Sequence, residues 1–192
     1  MHKTETREMT KKLTRRLGCV LLVASSWCLT ALLSASYAQE EQPTSLQETY
    51  EDWMVQCQTV VVADTKTKNC ELSQELRQKD TNQRVLAIGI VPASGDKETS
   101  ATIIAPFGLA LAKGLSVEVA DKELVSGAYK TCLPAGCIVE LKLPTEMIKT
   151  LALNEKATIV MTASGTDQPM RTNISLKGFL KAWNRLVALS KQ

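Results

Sequence analysis

The chain has 192 residues, of which 44% are hydrophobic, which suits one domain with a buried core and argues against disorder. The formal charge of +3 comes from residues 1–38, because they hold six of the 23 Lys and Arg but only two of the 20 Asp and Glu. The remaining 17 basic and 18 acidic side chains leave nucleic-acid binding without electrostatic support.

Residues 1–38 predict a secretory signal peptide. A basic head leads into the apolar stretch Leu17–Leu33, and small residues precede a cleavage site between Ala38 and Gln39. Cleavage would leave the mature chain without an integral membrane span, whereas an uncleaved anchor helix is the alternative. Because Arg15-Arg16 resembles a twin-arginine signal, both the general secretory route and the twin-arginine route stay open.

The mature chain is predicted to form a flexible lead over residues 39–49 and a single β-rich domain over residues 50–192. Apolar and polar residues then alternate in short segments that turn residues separate, which is typical of antiparallel strands. A polar turn is predicted over Ala63–Asn69, and the aliphatic run Arg84–Val91 predicts a central strand buried on both faces. The predicted strands cover about 53–58, 70–78, 84–91, 101–105, 115–119, 123–125, 127–131, 137–143, 157–164 and 170–175.

Two segments predict helices. The first is Pro144–Ala152, and the second is a C-terminal amphipathic helix with Ser175 as its N-cap. The apolar stripe of the second helix consists of Leu176, Phe179, Leu180, Trp183 and Val187. Lys177, Lys181 and Arg185 lie on its other side, as a solvated face or as a surface for anionic lipid or an acidic partner.

These elements together predict a mainly β fold, namely an antiparallel β-sandwich or a flattened barrel with a C-terminal amphipathic helix. Trp53 and Trp183 are interpreted as anchors of its core, with a ligand platform as the alternative.

Four cysteines remain in the mature chain: Cys57, Cys70, Cys132 and Cys137. An even number of cysteines in an exported chain favours two disulfides, for which three connectivities are possible. Short hairpins favour Cys57–Cys70 together with Cys132–Cys137. One conflict accompanies this choice, because a regular hairpin would place Lys130 opposite Val139, so either a bulge lies there or the pairing is different.

Other chemistry has little support in the sequence. The twelve residues between Cys57 and Cys70 do not fit a structural zinc site, and the only histidine, His2, lies in the predicted signal peptide. Ser94 and Lys97 match the Ser-x-x-Lys pattern of penicillin-binding enzymes, but they lie in a turn without the accompanying motifs. Four carboxylates are interpreted as solvent-facing and not as acid–base pairs: Glu118, Asp121, Glu123 and Glu140. We therefore expect no catalytic residue, cofactor or metal.

A set of weak motifs in a specific order runs through residues 50–190. It consists of Asp52-Trp53-x-Val55-x-Cys57, Cys70, Pro106-x-Gly108, Lys113-Gly114, Tyr129-x-x-Cys132 followed by Cys137, and Gly178-Phe179. In this set the chain resembles the invasion-associated locus B family. The resemblance implies an exported, non-catalytic β-rich protein of Gram-negative bacteria, in the periplasm, associated with the outer membrane, or secreted.

The predicted function is therefore that of an envelope protein that contributes to host-cell invasion or to envelope function, with an unknown protein or envelope partner. A periplasmic chaperone or inhibitor is the first alternative, and a periplasmic hydrolase is the second. The sequence does not determine the oligomeric state.

Overall fold

The protein is described by a computed structural model that covers residues 45–94 and 98–191. The predicted signal peptide, the cleavage site between Ala38 and Gln39, and residues 39–44 of the predicted lead lie outside the described residues.

The described residues form two antiparallel sheets. Seven strands belong to the first: β1 Ser45–Tyr50, β2 Trp53–Val62, β3 Thr65–Arg77, β4 Arg84–Val91, β5 Ser100–Ala105, β8 Tyr129–Leu133 and β9 Gly136–Lys142. Their order in this large sheet is β1-β2-β3-β4-β5-β9-β8. Four strands form the small sheet: β6 Leu115–Val119, β7 Lys122–Gly127, β10 Lys156–Thr162 and β11 Pro169–Ser175. Their order is β11-β10-β6-β7.

Two α-helices and a short 3₁₀ turn complete the described chain: α1 Thr145–Ala152, α2 Phe179–Ser190 and the turn Leu111–Lys113. The prediction of a mainly β fold with a C-terminal helix is confirmed, and the two separate sheets make it a sandwich.

One face of the large sheet forms the core. Along β4, Leu86, Ile88 and Ile90 are buried, whereas Val91 is exposed and the residues between them are half-buried. The prediction that this strand is buried on both faces is therefore wrong. Its aliphatic outer residues lie on the free side of the sheet, and only the alternate residues pack inward.

Helix α2 packs over β1, β2 and β3 on the inner face of the large sheet. Phe179 is fully buried and meets the Trp53 ring edge-on, with ring centroids 5.2 Å apart. Trp183 is partly buried against the same core. Both tryptophans therefore serve as core residues.

Buried Gln74 of β3 joins the two layers. Its amide nitrogen donates to the carbonyl oxygens of Asp52 and Ser175, and its amide oxygen accepts from the Ser175 N–H. Trp53 Nε1 also donates to the Ser175 carbonyl. Because each of these buried polar atoms has a partner, the end of β11 is fixed against β2 and β3.

Three further sequence predictions need correction. Residues 45–49 of the predicted flexible lead belong to β1, because Leu46 and Tyr50 pack against the core. The hairpin between β2 and β3 turns over only two residues, Ala63 and Asp64, and both have positive φ. Most of the predicted polar turn Ala63–Asn69 is therefore part of β3. Helix α2 has Gly178 and not Ser175 as its N-cap.

Candidate functional site

Two disulfide bonds join directly opposed residues of neighbouring strands. Cys57 of β2 faces Cys70 of β3, and their Sγ atoms are bonded. Both side chains are buried, so this bond belongs to the core. The second bond joins Cys132 of β8 to Cys137 of β9. The structure therefore has the connectivity that the hairpin argument favours.

A bulge in β8 resolves the parity conflict at Lys130. Tyr129 lies opposite Val139, but Thr131 already lies opposite Ile138, so Lys130 is the extra residue. The Lys130 ammonium group instead pairs with the Glu140 carboxylate at the surface. The bulge thus allows both the inward Tyr129 and the paired Cys132 in one short hairpin.

A hollow of about 560 Å³ lies beside the Cys57–Cys70 bond and is lined mainly by the face of the large sheet opposite the core, with Ser190 at the end of α2 also in its lining. The cross-strand pairs Gln56–Glu71 and Gln58–Asn69 line it. These residues alternate with the buried ones of β2 and β3, which places them on the outer face. The end of β4, the start of β5 and described residues of the loop between them also line the hollow: Val91, Pro92, Ser94, Glu98 and Ser100.

A second hollow of about 410 Å³ adjoins the first and shares Gln56 and Glu71 with it. It extends to Glu51 and Asp52 in the turn between β1 and β2. We call the two hollows together the outer groove. Gly89 of β4 lies beside it, and a Cβ atom added there would make an ordinary contact with Glu71 Oε2, at 3.7 Å.

The outer groove has an excess of acidic side chains. Five carboxylates line it, against the single ammonium group of Lys68 among the described residues: Glu51, Asp52, Glu71, Glu75 and Glu98. Glu75 and Glu98 form ion pairs with Arg77 and Lys142, at 2.7 Å in both cases, and Glu98 thereby raises the pKa of Lys142. Glu71 forms no ion pair with a described Lys or Arg, so its charge faces the groove.

The other candidates from the sequence do not assemble into a reactive site among the described residues. Ser94 lies at the groove, whereas Lys97 falls outside the described residues. The carboxylates of Glu118 and Asp121 both lie near the Arg171 guanidinium, and Glu123 is the strand partner of Glu118. Arg171 beside Glu118 and Asp121, and Lys130 beside Glu140, give three of the four carboxylates ion-pair partners.

The basic face of α2 is largely neutralised. Two hydrogen bonds join Arg185 to the Glu48 carboxylate, and Lys181 Nζ lies 3.9 Å from Glu51 Oε1. These contacts favour the solvated-face interpretation over a surface for anionic lipid, because the acidic side chains belong to the same protein.

Within residues 45–94 and 98–191, no cluster of three His, Cys, Asp or Glu has metal-binding geometry. Over the same residues, neither helix has the length and apolarity that crossing a membrane requires.

Comparison with known proteins identifies the family. The family profile described as "Invasion associated locus B (IalB) protein" matches residues 53–187. The chain belongs to the IalB family. The match spans both disulfides, most of α2 and every strand of the sandwich except β1.

Named relatives agree with this. An invasion protein B homolog of Brucella abortus strain 2308 is 34% identical over 172 residues, which cover 88% of this chain and 96% of the relative. Invasion protein B of Bartonella bacilliformis is 29% identical over 178 residues, 84% of this chain and 92% of the relative. The crystal structure of invasion associated protein B from Bartonella henselae has a TM-score of 0.67 and 28% identity, and covers 76% of this chain and 97% of that one.

Sequence reasoning missed the outer groove of this IalB-family protein. Its outward residues are ordinary strand polar residues, and their alternation predicts only a solvent face. A signal was present in the small outward residues Ala87 and Gly89 of an otherwise aliphatic strand, because glycine in a strand often marks close approach.

Proposed function

We propose that this IalB-family protein is an exported, non-catalytic binding protein of the Gram-negative cell envelope, and that it contributes to host-cell invasion through the outer groove. The observation that carries the proposal is the groove itself, which is held on a disulfide-linked sheet and lined by amides, hydroxyls and Glu71, which has no ion-pair partner among the described residues. Such a surface can bind a polar partner without supplying a nucleophile and base.

Export to the periplasm, the outer membrane or the medium is the cellular part of the proposal. It is supported by the signal-peptide pattern of residues 1–38 and by two disulfides, which persist in oxidising compartments. The names of the Brucella and Bartonella relatives support a role in invasion.

Deletion of the gene, with complementation by the wild-type chain, tests the biological role. We expect fewer bacteria inside host cells, or a weakened envelope measured as increased sensitivity to detergent. Unchanged invasion together with an unchanged envelope would contradict the proposal.

A chaperone or inhibitor would use the same groove but bind one protein stoichiometrically. A non-reducing pull-down from periplasmic extract distinguishes this form, because a chaperone or inhibitor retains one envelope protein in constant ratio. The hydrolase alternative predicts that Ser94→Ala with Lys97→Ala abolishes the cellular phenotype, whereas the binding proposal predicts that the phenotype persists.

A further inference from the structure

The outer groove has the dimensions of an extended peptide. It follows β2 from Met54 to Val60, a distance of about 20 Å at the rise of a strand, and crosses from β2 to β4, about 10 Å. Such a groove accommodates about six residues of one extended chain. A small amine or a single sugar would occupy only a fraction of it.

The chemistry of the groove suits a peptide main chain. The amides of Gln56, Gln58 and Asn69 each offer donors and acceptors, as a peptide bond requires. On either side of these amides, Met54 and Val60 at the two ends of the groove and Val91 at the end of β4 provide apolar contacts for side chains. A central polar stretch with apolar ends can hydrogen-bond the main chain of an extended segment and contact its flanking side chains.

The charge of the groove identifies one side chain of the partner. Glu71 belongs to both hollows, and its carboxylate lies near Gly89, where β4 leaves space above the sheet. No described Lys or Arg pairs with Glu71, whereas the carboxylates of Glu51, Glu75 and Glu98 already lie beside basic side chains of the same chain. A lysine or arginine above Gly89 would therefore meet a carboxylate and form a charge-assisted hydrogen bond.

We propose that the outer groove binds an extended segment of another protein, with a lysine or arginine of that segment paired to Glu71. This inference deepens the proposed binding function and rests on it for its cellular setting. It specifies that the partner is a protein segment of basic character, and that the lysine or arginine of this segment lies at Glu71.

The test uses the exported protein, purified from cells with its disulfides intact. The probes are fluorescent peptides of about ten residues, long enough to cover the groove, in which threonine alternates with lysine or with glutamate. We expect the lysine peptide to bind at least about tenfold more tightly than the glutamate peptide. Binding should weaken as the ionic strength rises toward about 0.5 M.

Two variants locate the binding site. Glu71→Gln should weaken binding of the lysine peptide about tenfold, whereas the matched control Glu155→Gln, an exposed glutamate in the turn before β10, should leave it unchanged. Gly89→Val adds a side chain beside Glu71 at ordinary contact distance and should also weaken binding. Thermal melting of each variant checks that the fold is retained.

Equal affinity for the two peptides, or an unchanged affinity in Glu71→Gln, would overturn the proposal. Displacement of the peptide by spermidine at equal concentration would also overturn it, since charge alone would then account for binding. The deletion phenotype is a separate result. If it is present but peptide binding fails, the groove proposal is wrong while the envelope function stands.

Discussion

Glu48 accepts two hydrogen bonds from the Arg185 guanidinium, at 2.8 and 2.7 Å, and one from the Tyr50 hydroxyl, at 2.7 Å. These hydrogen bonds lower the pKa of the Glu48 carboxyl from its ordinary 4.5 to about 2, and those from Arg185 have the largest effect. The hydrogen bond to Glu48 in turn raises the pKa of the Tyr50 hydroxyl. Because Glu48 lies in β1 and Arg185 in α2, one ion pair joins the first described strand to the last helix.

The Glu48 pair predicts acid-dependent stability. A carboxyl whose pKa falls on folding stabilises the folded state above the unfolded pKa, and this stabilisation is lost as the pH falls from about 4.5 to about 2. We expect Glu48→Gln to lower the melting temperature at pH 7 by about 3 °C, because the pair is partly exposed. Calorimetry at several pH values measures the difference.

The difference between wild type and Glu48→Gln should disappear near pH 2. Glu155→Gln provides the control and should melt like the wild type at every pH, since Glu155 forms no ion pair with a described residue. A constant difference between pH 7 and pH 2 would show that Glu48 acts through packing and not through its charge.

At the residue scale, the sequence predicts those contacts that residue alternation along the strands and the spacing of the cysteines encode. The pairing of the cysteines and the conflict at Lys130 follow from strand parity, and the bulge is one of the two solutions that parity allows. The Glu48–Arg185 pair joins residues 137 positions apart, and no local pattern encodes such a contact. The role of Glu71 depends equally on Gly89 of the neighbouring strand.

Helix α2 begins at a glycine that the fold requires. Gly178 has φ 80°, and a Cβ atom there would lie 2.1 Å from the Tyr50 carbonyl oxygen. The neighbouring atom belongs to backbone, so it cannot move without shifting the end of β1. We expect Gly178→Ala to lower the free energy of unfolding by about 3 kcal/mol, measured by urea denaturation.

Gly165 separates the cost of the positive φ from the cost of the steric contact in that prediction. It also has positive φ, at 83°, but a Cβ atom there would meet nothing within 4 Å. Gly165→Ala should therefore show only the backbone cost, about 1 kcal/mol. If the two variants are equally destabilised, the contact between Gly178 and Tyr50 contributes nothing to stability.

The two disulfide hairpins differ in loop length and burial, which predicts different contributions to stability. Their cysteines are 13 and 5 residues apart. By the chain-entropy model, Cys57→Ala with Cys70→Ala should cost about 3 kcal/mol, and Cys132→Ala with Cys137→Ala about 2 kcal/mol. The first pair is also buried, so its removal leaves a cavity and widens the difference.

Urea denaturation of both double variants, each beside the oxidised wild type, measures these costs. A larger loss from the Cys132–Cys137 hairpin would mean that the bulged β8–β9 register depends on its bond more than loop entropy predicts. Peptide mapping without reduction provides the control, and Cys132 linked to Cys57 or Cys70 would contradict the connectivity itself.

At the element scale, periodicity predicted most strands and both helices, whereas their ends depended on tertiary packing. β1 has a polar composition, and it is a strand because Leu46 and Tyr50 reach the core. Past Cys57 and Cys70, the β2–β3 hairpin continues through polar residues of β3 and through the exposed Val60 and Val61 of β2, because backbone pairing does not require buried apolar side chains. The N-cap of α2 lies at Gly178, because Ser175 belongs to β11 and its carbonyl oxygen accepts hydrogen bonds from Trp53 and Gln74.

At the scale of the whole molecule, the two faces of the large sheet differ in use. The inner face contacts the rest of the core, while the outer face carries the groove. The disulfide Cys57–Cys70 lies between them, because it is buried on the inner side and borders the groove. Oxidation in the exported protein would thus stabilise the core and the proposed binding surface together.

The predicted cleavage between Ala38 and Gln39 places the mature terminus six residues before β1. Cleavage there would preserve Leu46, Glu48 and Tyr50, whereas cleavage beyond Tyr50 would remove β1 and the Arg185 ion pair. We therefore expect intact-mass analysis of the protein isolated from a periplasmic extract to give a chain that begins at Gln39, lighter by four hydrogens than its reduced form.

Ala38→Phe is the matched variant for this measurement, because a large residue at the last position of the signal should block cleavage. The uncleaved chain should then remain with the membrane fraction. A wild-type chain that keeps residues 1–38 after export would contradict the signal-peptide prediction and favour the anchor helix. A terminus beyond residue 50 would instead predict a less stable domain, since β2 would lose one of its two strand partners and become the edge of the sheet.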